Sequence, residues 1–127
     1  MVKLSQANED YIEAIWMLAQ GGNGPVRSVD LAKKLEVSKP SVNKAIALLK
    51  QQGLVTQQPY GDIFLTQEGV AYGQAMLRRH ETLTCFFHEV LGVEQPRAEE
   101  EACCVEHAIS QDTFERWAAF LERTLQR

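Results

Sequence analysis

The sequence predicts a mainly α fold in which a winged helix-turn-helix precedes an all-helical second half. Three observations carry this reading. Apolar residues recur at helical spacing through most of the chain. Two short β-type runs flank a Tyr60-Gly61-Asp62 turn directly after three helical segments. From Thr66 onward each segment reads as helix.

The first helix is expected over residues 7–19, with Tyr11, Ile12, Ile15, Trp16, Leu18 and Ala19 on one broad stripe. Gly21-Gly22-Asn23-Gly24-Pro25 ends it, because no helix continues through that composition. Ser28 is expected to cap a second helix through Leu35, with Val29, Leu31, Ala32 and Leu35 inward. After the tight Glu36-Val37-Ser38 connection, Ser38 caps a third helix whose first turn tolerates Pro40, since N–H groups there lack helical acceptors. That helix runs to about Gln52, with Val42, Ile46, Leu48 and Leu49 inward and Gly53 as its stop. Residues 54–59 and 63–66 then pair as a hairpin. A long helix follows from Thr66 to Val90 or Leu91, Gly92 and Pro96 interrupt the pattern, a fifth helix covers 97–109, and Ser110 caps a sixth through Leu125.

The net charge of −4 hides an asymmetry. Residues 27–50 hold six bases against two acids, a local +4, so the remainder carries −8. A basic segment on an acidic body is the pattern of a chain that meets phosphate with one part and collects cations with another. No apolar run approaches the roughly 18 residues that span a bilayer, and the N-terminus lacks an apolar signal region, so a cytoplasmic protein is expected. The cysteines are Cys85, Cys103 and Cys104, an odd count that argues against a disulfide framework and for reduced thiols.

Two constellations carry chemistry. The exposed start of the third helix offers Ser38, Lys39, Pro40, Ser41, Asn43 and Lys44 where recognition helices meet base edges. Arg27 and Tyr60, at the hairpin tip, are candidate contacts to the DNA backbone. The second constellation is Cys103-Cys104-Val105-Glu106-His107, whose thiolate, carboxylate and imidazole share one helical face. These are donors that suit a divalent transition metal. Asp10 and Glu13 share a face of the first helix, and His80 lies on the long fourth one. An enzyme is not expected: no H-E-x-x-H occurs, and no orienting group or oxyanion-forming loop accompanies the Cys–His pair.

The segments Asn8-Glu-Asp-Tyr-Ile-Glu-Ala-Ile-Trp-Met-Leu, Val37-Ser-Lys-Pro-Ser-Val, Leu65-Thr-Gln-Glu-Gly, Arg79-His-Glu-Thr-Leu and Cys103-Cys-Val-Glu-His together resemble the diphtheria toxin repressor and manganese transport regulator family. The resemblance implies a homodimeric, metal-activated transcriptional repressor. It divides the chain into a winged helix-turn-helix DNA-binding domain, residues 1–66, and an all-helical dimerisation and metal-binding domain, residues 67–127. By position, Asp10, Glu13, His80, Cys103, Glu106 and His107 match the family's metal ligands. The family's metal joins the first helix to the dimerisation domain, which would set two recognition helices about 34 Å apart, one DNA turn.

The ligand set resembles a hybrid. Cys103 is the choice of iron-responsive members, and Asp10 that of manganese-responsive ones. Thr84 and Glu99 stand where iron-type relatives place ligands of a second site. Thiolate favours Fe(II) over Mn(II), so Fe(II) is the expected activator, with Mn(II) second and Zn(II) third. The partners expected are double-stranded operator DNA and a second copy of the chain, with no membrane and no small-molecule substrate. The alternatives are a Mn(II)- or Zn(II)-responsive regulator of the same family, or a metal-independent winged-helix regulator with a structural metal. Cys85, Val90, Phe86, Phe87, Phe114, Trp117 and Phe120 are expected to build the dimer core.

Overall fold

Ser5 opens α1 (Gln6–Leu18) by accepting the Asn8 amide at 3.2 Å. Tyr11, Ile12, Ala14 and Ile15 are buried on its inner stripe, while Trp16, Leu18 and Ala19 are half-buried at its margin. The structure, a computed structural model, describes residues 4–125; the outermost residues of the two expected domains, 1–3 and 126–127, lie outside the described residues. It separates into two compact units, Met1–Ala75 and Met76–Arg127.

In the first unit, α2 (Ser28–Leu35) is preceded by Arg27 in the capping position, so Ser28 is its first helical residue rather than its cap. Glu36, in the left-handed conformation at φ 54°, turns the chain toward α3 (Lys39–Gln51). Ser38 caps α3 by accepting the Ser41 amide at 3.2 Å, with Pro40 in the first turn. Two expected core positions are instead exposed. Val29 is 51% exposed, because Leu31 alone fills the inner line of this short helix. Leu48 is 37% exposed, because Val42, Ala45, Ile46 and Leu49 already complete a stripe at spacings of three and four.

The hairpin strands β1 (Val55–Gln57) and β2 (Ile63–Leu65) pair antiparallel, Thr56 opposite Phe64. Val26 adds a bridge, exchanging backbone hydrogen bonds with Ile63 at 2.9 and 2.8 Å. A one-residue pairing is too short to leave an alternating pattern in sequence. Thr66 accepts the Gly69 amide at 3.1 Å and donates to the Gly53 carbonyl at 2.7 Å, which locks the start of α4 (Gln67–Cys85) to the end of α3. A Cβ at Gly69 would collide with the Leu54 carbonyl, and one at Gly73 would stand 2.5 Å from Trp16 Cδ1. Glycine at these two positions therefore permits the close approach of α4.

In the second unit, α4 passes into a π-helical turn at Phe86–Val90, and Gly92 at φ 74° reverses the chain. Pro96 does not interrupt here. It occupies the first turn of α5 (Gln95–Val105), which starts earlier and stops sooner than the pattern suggested. The hydroxyl of Ser110 accepts the Thr113 amide at 3.1 Å and caps α6 (Gln111–Leu125). Phe114 is buried in the core of its own unit, not on a dimer surface: the Arg78 and Arg79 guanidinium groups lie 4.9 and 5.4 Å from its ring centroid. Phe86 packs edge-on against Trp117 at 5.2 Å, and Phe120 is left 46% exposed. Among the described residues no helix is long and apolar enough to cross a membrane.

Candidate functional site

The donors of the second unit cluster at the end of α5. Cys103 lies in its last turn; the helix ends at Val105, not at 109, so Glu106 and His107 fall just past it. Glu106 keeps right-handed helical backbone angles, φ −57° and ψ −29°, so helical spacing persists across the motif. One ligand atom from each of Cys103, Glu106 and His107 falls within 4.8 Å of the others. His80, on α4, places Nδ1 2.9 Å from Glu106 Oε1. Glu106 is fully buried, His107 nearly so, and Cys103 exposed. A carboxylate with no solvent access is costly without cationic or hydrogen-bonding company, and soft thiolate with imidazole and carboxylate is a set that fits a divalent transition metal. Asp10 and Glu13 lie in the first unit, half-buried and one turn apart on α1.

Sequence reasoning missed Arg79. The residue is 8% exposed, and its guanidinium donates to the carbonyls of Glu106 and Ile109 at 2.9 Å each and to Gln111 Oε1 at 2.8 Å. An arginine beside a histidine gives no sign in sequence of which carbonyls it will meet. Thr84 and Glu99 line a cleft of about 290 Å³ with His80. Glu99 accepts from Gln95 at 3.0 Å.

The first unit presents the candidate nucleic-acid interface. Ser38, Lys39, Pro40, Ser41, Asn43 and Lys44 are all exposed at the start of α3. The Ser38 and Ser41 hydroxyls are 2.9 Å apart, and Ser38 also serves the cap. Tyr60 projects fully at the hairpin tip with φ 59°. Arg27 is held by Asp30 through two hydrogen bonds, at 2.9 and 3.2 Å. That hydrogen bonding holds the Asp30 carboxyl below its ordinary range and raises the guanidinium. Gln57, also missed, braces the hairpin by donating to the Gly61 carbonyl at 3.0 Å and to Ser28 Oγ at 3.4 Å.

A basic, polar helix start together with a thiolate–carboxylate–imidazole cluster is the pairing expected of a DNA-binding regulator that holds a metal. Residues 3–63 match the iron dependent repressor N-terminal DNA binding domain, and residues 66–126 the iron dependent repressor metal binding and dimerisation domain. The chain belongs to the iron-dependent repressor family, that of the diphtheria toxin repressor and the manganese regulators, and is a metal-dependent transcriptional repressor. An HTH-type transcriptional regulator of Methanocaldococcus jannaschii is 36% identical over 94% of this chain and 96% of its own length. The transcriptional regulator MntR of Escherichia coli O6:H1 is 35% identical over 91% of this chain and 73% of its own. A manganese-dependent transcriptional repressor solved with manganese is 32% identical, with a TM-score of 0.78, over 90% of this chain. The chain spans about half the length of that structure, 52%.

Proposed function

We propose that this chain is an Fe(II)-activated, cytoplasmic, homodimeric repressor that binds operator DNA to control metal-homeostasis genes. Residues 1–66 read the DNA and residues 67–127 bind metal and dimerise. The observation that carries the reading is the convergence of Cys103, Glu106 and His107 within 4.8 Å, with His80 on Glu106. Asp10 and Glu13 complete the ligand set in this proposal. Six donors, three of them carboxylates, are a set that suits a divalent cation. Lys39 and Lys44 provide phosphate contacts and counterion release, and Ser41 and Asn43 face base edges. Arg27 and Tyr60 contact the backbone on either side, while Ser38 and Pro40 fix the start of the helix that presents these groups.

The choice of Fe(II) rests on Cys103, since a thiolate ligand disfavours Mn(II). A Mn(II) reading is favoured by a separate observation, the similarity to manganese regulators. Operator binding by metal-free protein, titrated anaerobically with Fe(II), Mn(II) and Zn(II), decides between them. Activation at the lowest free concentration by Fe(II) is the expected result. Earlier activation by Mn(II) would reassign the metal, and equal operator binding in chelator would remove metal activation altogether.

A further inference from the structure

We propose that Arg79 is a positioning residue of the metal centre, registering the main chain that carries Glu106 and His107 against the helix that carries His80. The inference rests on the metal-centre reading above and adds a residue to it.

The Glu106 amide still closes the last turn of α5 on the Ala102 carbonyl at 2.9 Å, but the Glu106 carbonyl and the His107 segment lie beyond the helix's last residue. Carbonyls past a helix end need donors from elsewhere. Arg79 supplies them: one guanidinium nitrogen, Nη1, reaches both the Glu106 and the Ile109 carbonyls at 2.9 Å, which brackets the His107 segment. The second, Nη2, is fixed by Gln111 Oε1 at 2.8 Å, at the first residue of α6. The Phe114 ring beneath the guanidinium restricts its plane. Because Arg79 immediately precedes His80 on α4, the clamp ties the two arms of the site to one another at adjacent positions. The hydrogen bond from His80 Nδ1 to Glu106 Oε1 at 2.9 Å spans the same gap from the donor side. A lysine in this place keeps the charge but has no fork with which to hold three acceptors at once.

The test uses the full-length chain with Co(II) as probe, read by its thiolate charge-transfer and ligand-field absorption. Arg79→Lys is compared with wild type and with Leu121→Val, a core change on α6 that lowers stability without touching the clamp. Arg79→Lys is expected to raise the half-saturating Co(II) concentration about tenfold or more, the usual effect of losing a residue that orients ligands, and to alter the ligand-field bands. Leu121→Val leaves both readouts in place. A wild-type midpoint and spectrum in Arg79→Lys, or an equal shift in Leu121→Val, overturns the positioning role while the metal centre stands. Absence of Co(II) binding by the wild type overturns the metal centre and this role with it. Should Arg79→Lys fail to fold, Gln111→Ala carries the test through a smaller shift in the same direction, and no shift there overturns the proposal.

Discussion

In the proposed metal centre, Cys103 is the residue on which metal choice would turn. It is the one sulfur in the cluster and its most exposed donor, so replacing it changes ligand chemistry with little cost to packing. Cys103→Glu is expected to move preference toward Mn(II) by an order of magnitude or more, on the order of 1.4 kcal/mol per tenfold. Competition titrations with a metal indicator check this, and unchanged selectivity would remove Cys103 from the ligand set. Asp30 sets a second test. Its hydrogen bonds to Arg27 hold its carboxyl low, so the pair is intact above the ordinary carboxylate range and is lost as the pH falls through that lowered value. Both groups are exposed, so the pair is screened by salt. Asp30→Asn frees the guanidinium for phosphate. Operator binding is expected to tighten a few-fold at low salt and to steepen in log-log salt dependence by about one unit. An unchanged slope would place Arg27 away from the DNA.

At the scale of elements, the sequence was most readable where a local rule decides the outcome. The Ser38 and Ser110 caps, the Gly53 stop and the Tyr60-Gly61 turn are each set by one residue's own hydrogen bonding or backbone preference. The ends of α2 and α5 were less readable, because Ser28 and Pro96 are each compatible with a cap, a break or a first turn. Contacts distant in sequence were not readable at all. Examples are the Arg79 clamp and the buried hydrogen bond from the Tyr72 hydroxyl to Glu9 Oε2 at 2.5 Å, 63 residues apart. The hairpin tip combines a local cost with a proposed use. Tyr60 takes a left-handed conformation that costs a non-glycine residue about 1 kcal/mol, yet its ring is fully exposed and packs on nothing that would offset this. Tyr60→Gly is expected to stabilise the protein by up to about 1 kcal/mol in denaturant unfolding and to weaken operator binding several-fold. Stability gained with no loss of affinity would show that the ring makes no contact with DNA.

For the whole molecule the central question is whether metal and operator are coupled or merely bound by the same chain. Donor types and spacing singled out Cys103, Glu106 and His107 in the sequence as a candidate cluster, the resemblance alone added Asp10, Glu13 and His80, and the family match assigns metal binding and DNA binding to separate stretches. Neither fact fixes the energy that passes between them. A purely structural ion stabilises the fold, by about 2.7 kcal/mol at a free concentration 100 times its Kd, without altering operator affinity once the protein is folded. A sensing ion must bind the DNA-competent state more tightly, and linkage then requires reciprocity. If Fe(II) tightens operator binding by some factor, saturating operator must tighten Fe(II) binding by the same factor. The expected coupling is 5- to 150-fold, about 1–3 kcal/mol, equal in both directions. Anaerobic metal titrations with and without saturating operator, set against operator titrations with and without metal, measure both legs. Thermal stabilisation by Fe(II) with a coupling factor of one would leave a folded winged-helix DNA binder whose metal is structural. Equal factors well above one would make the ion the signal that the repressor reads.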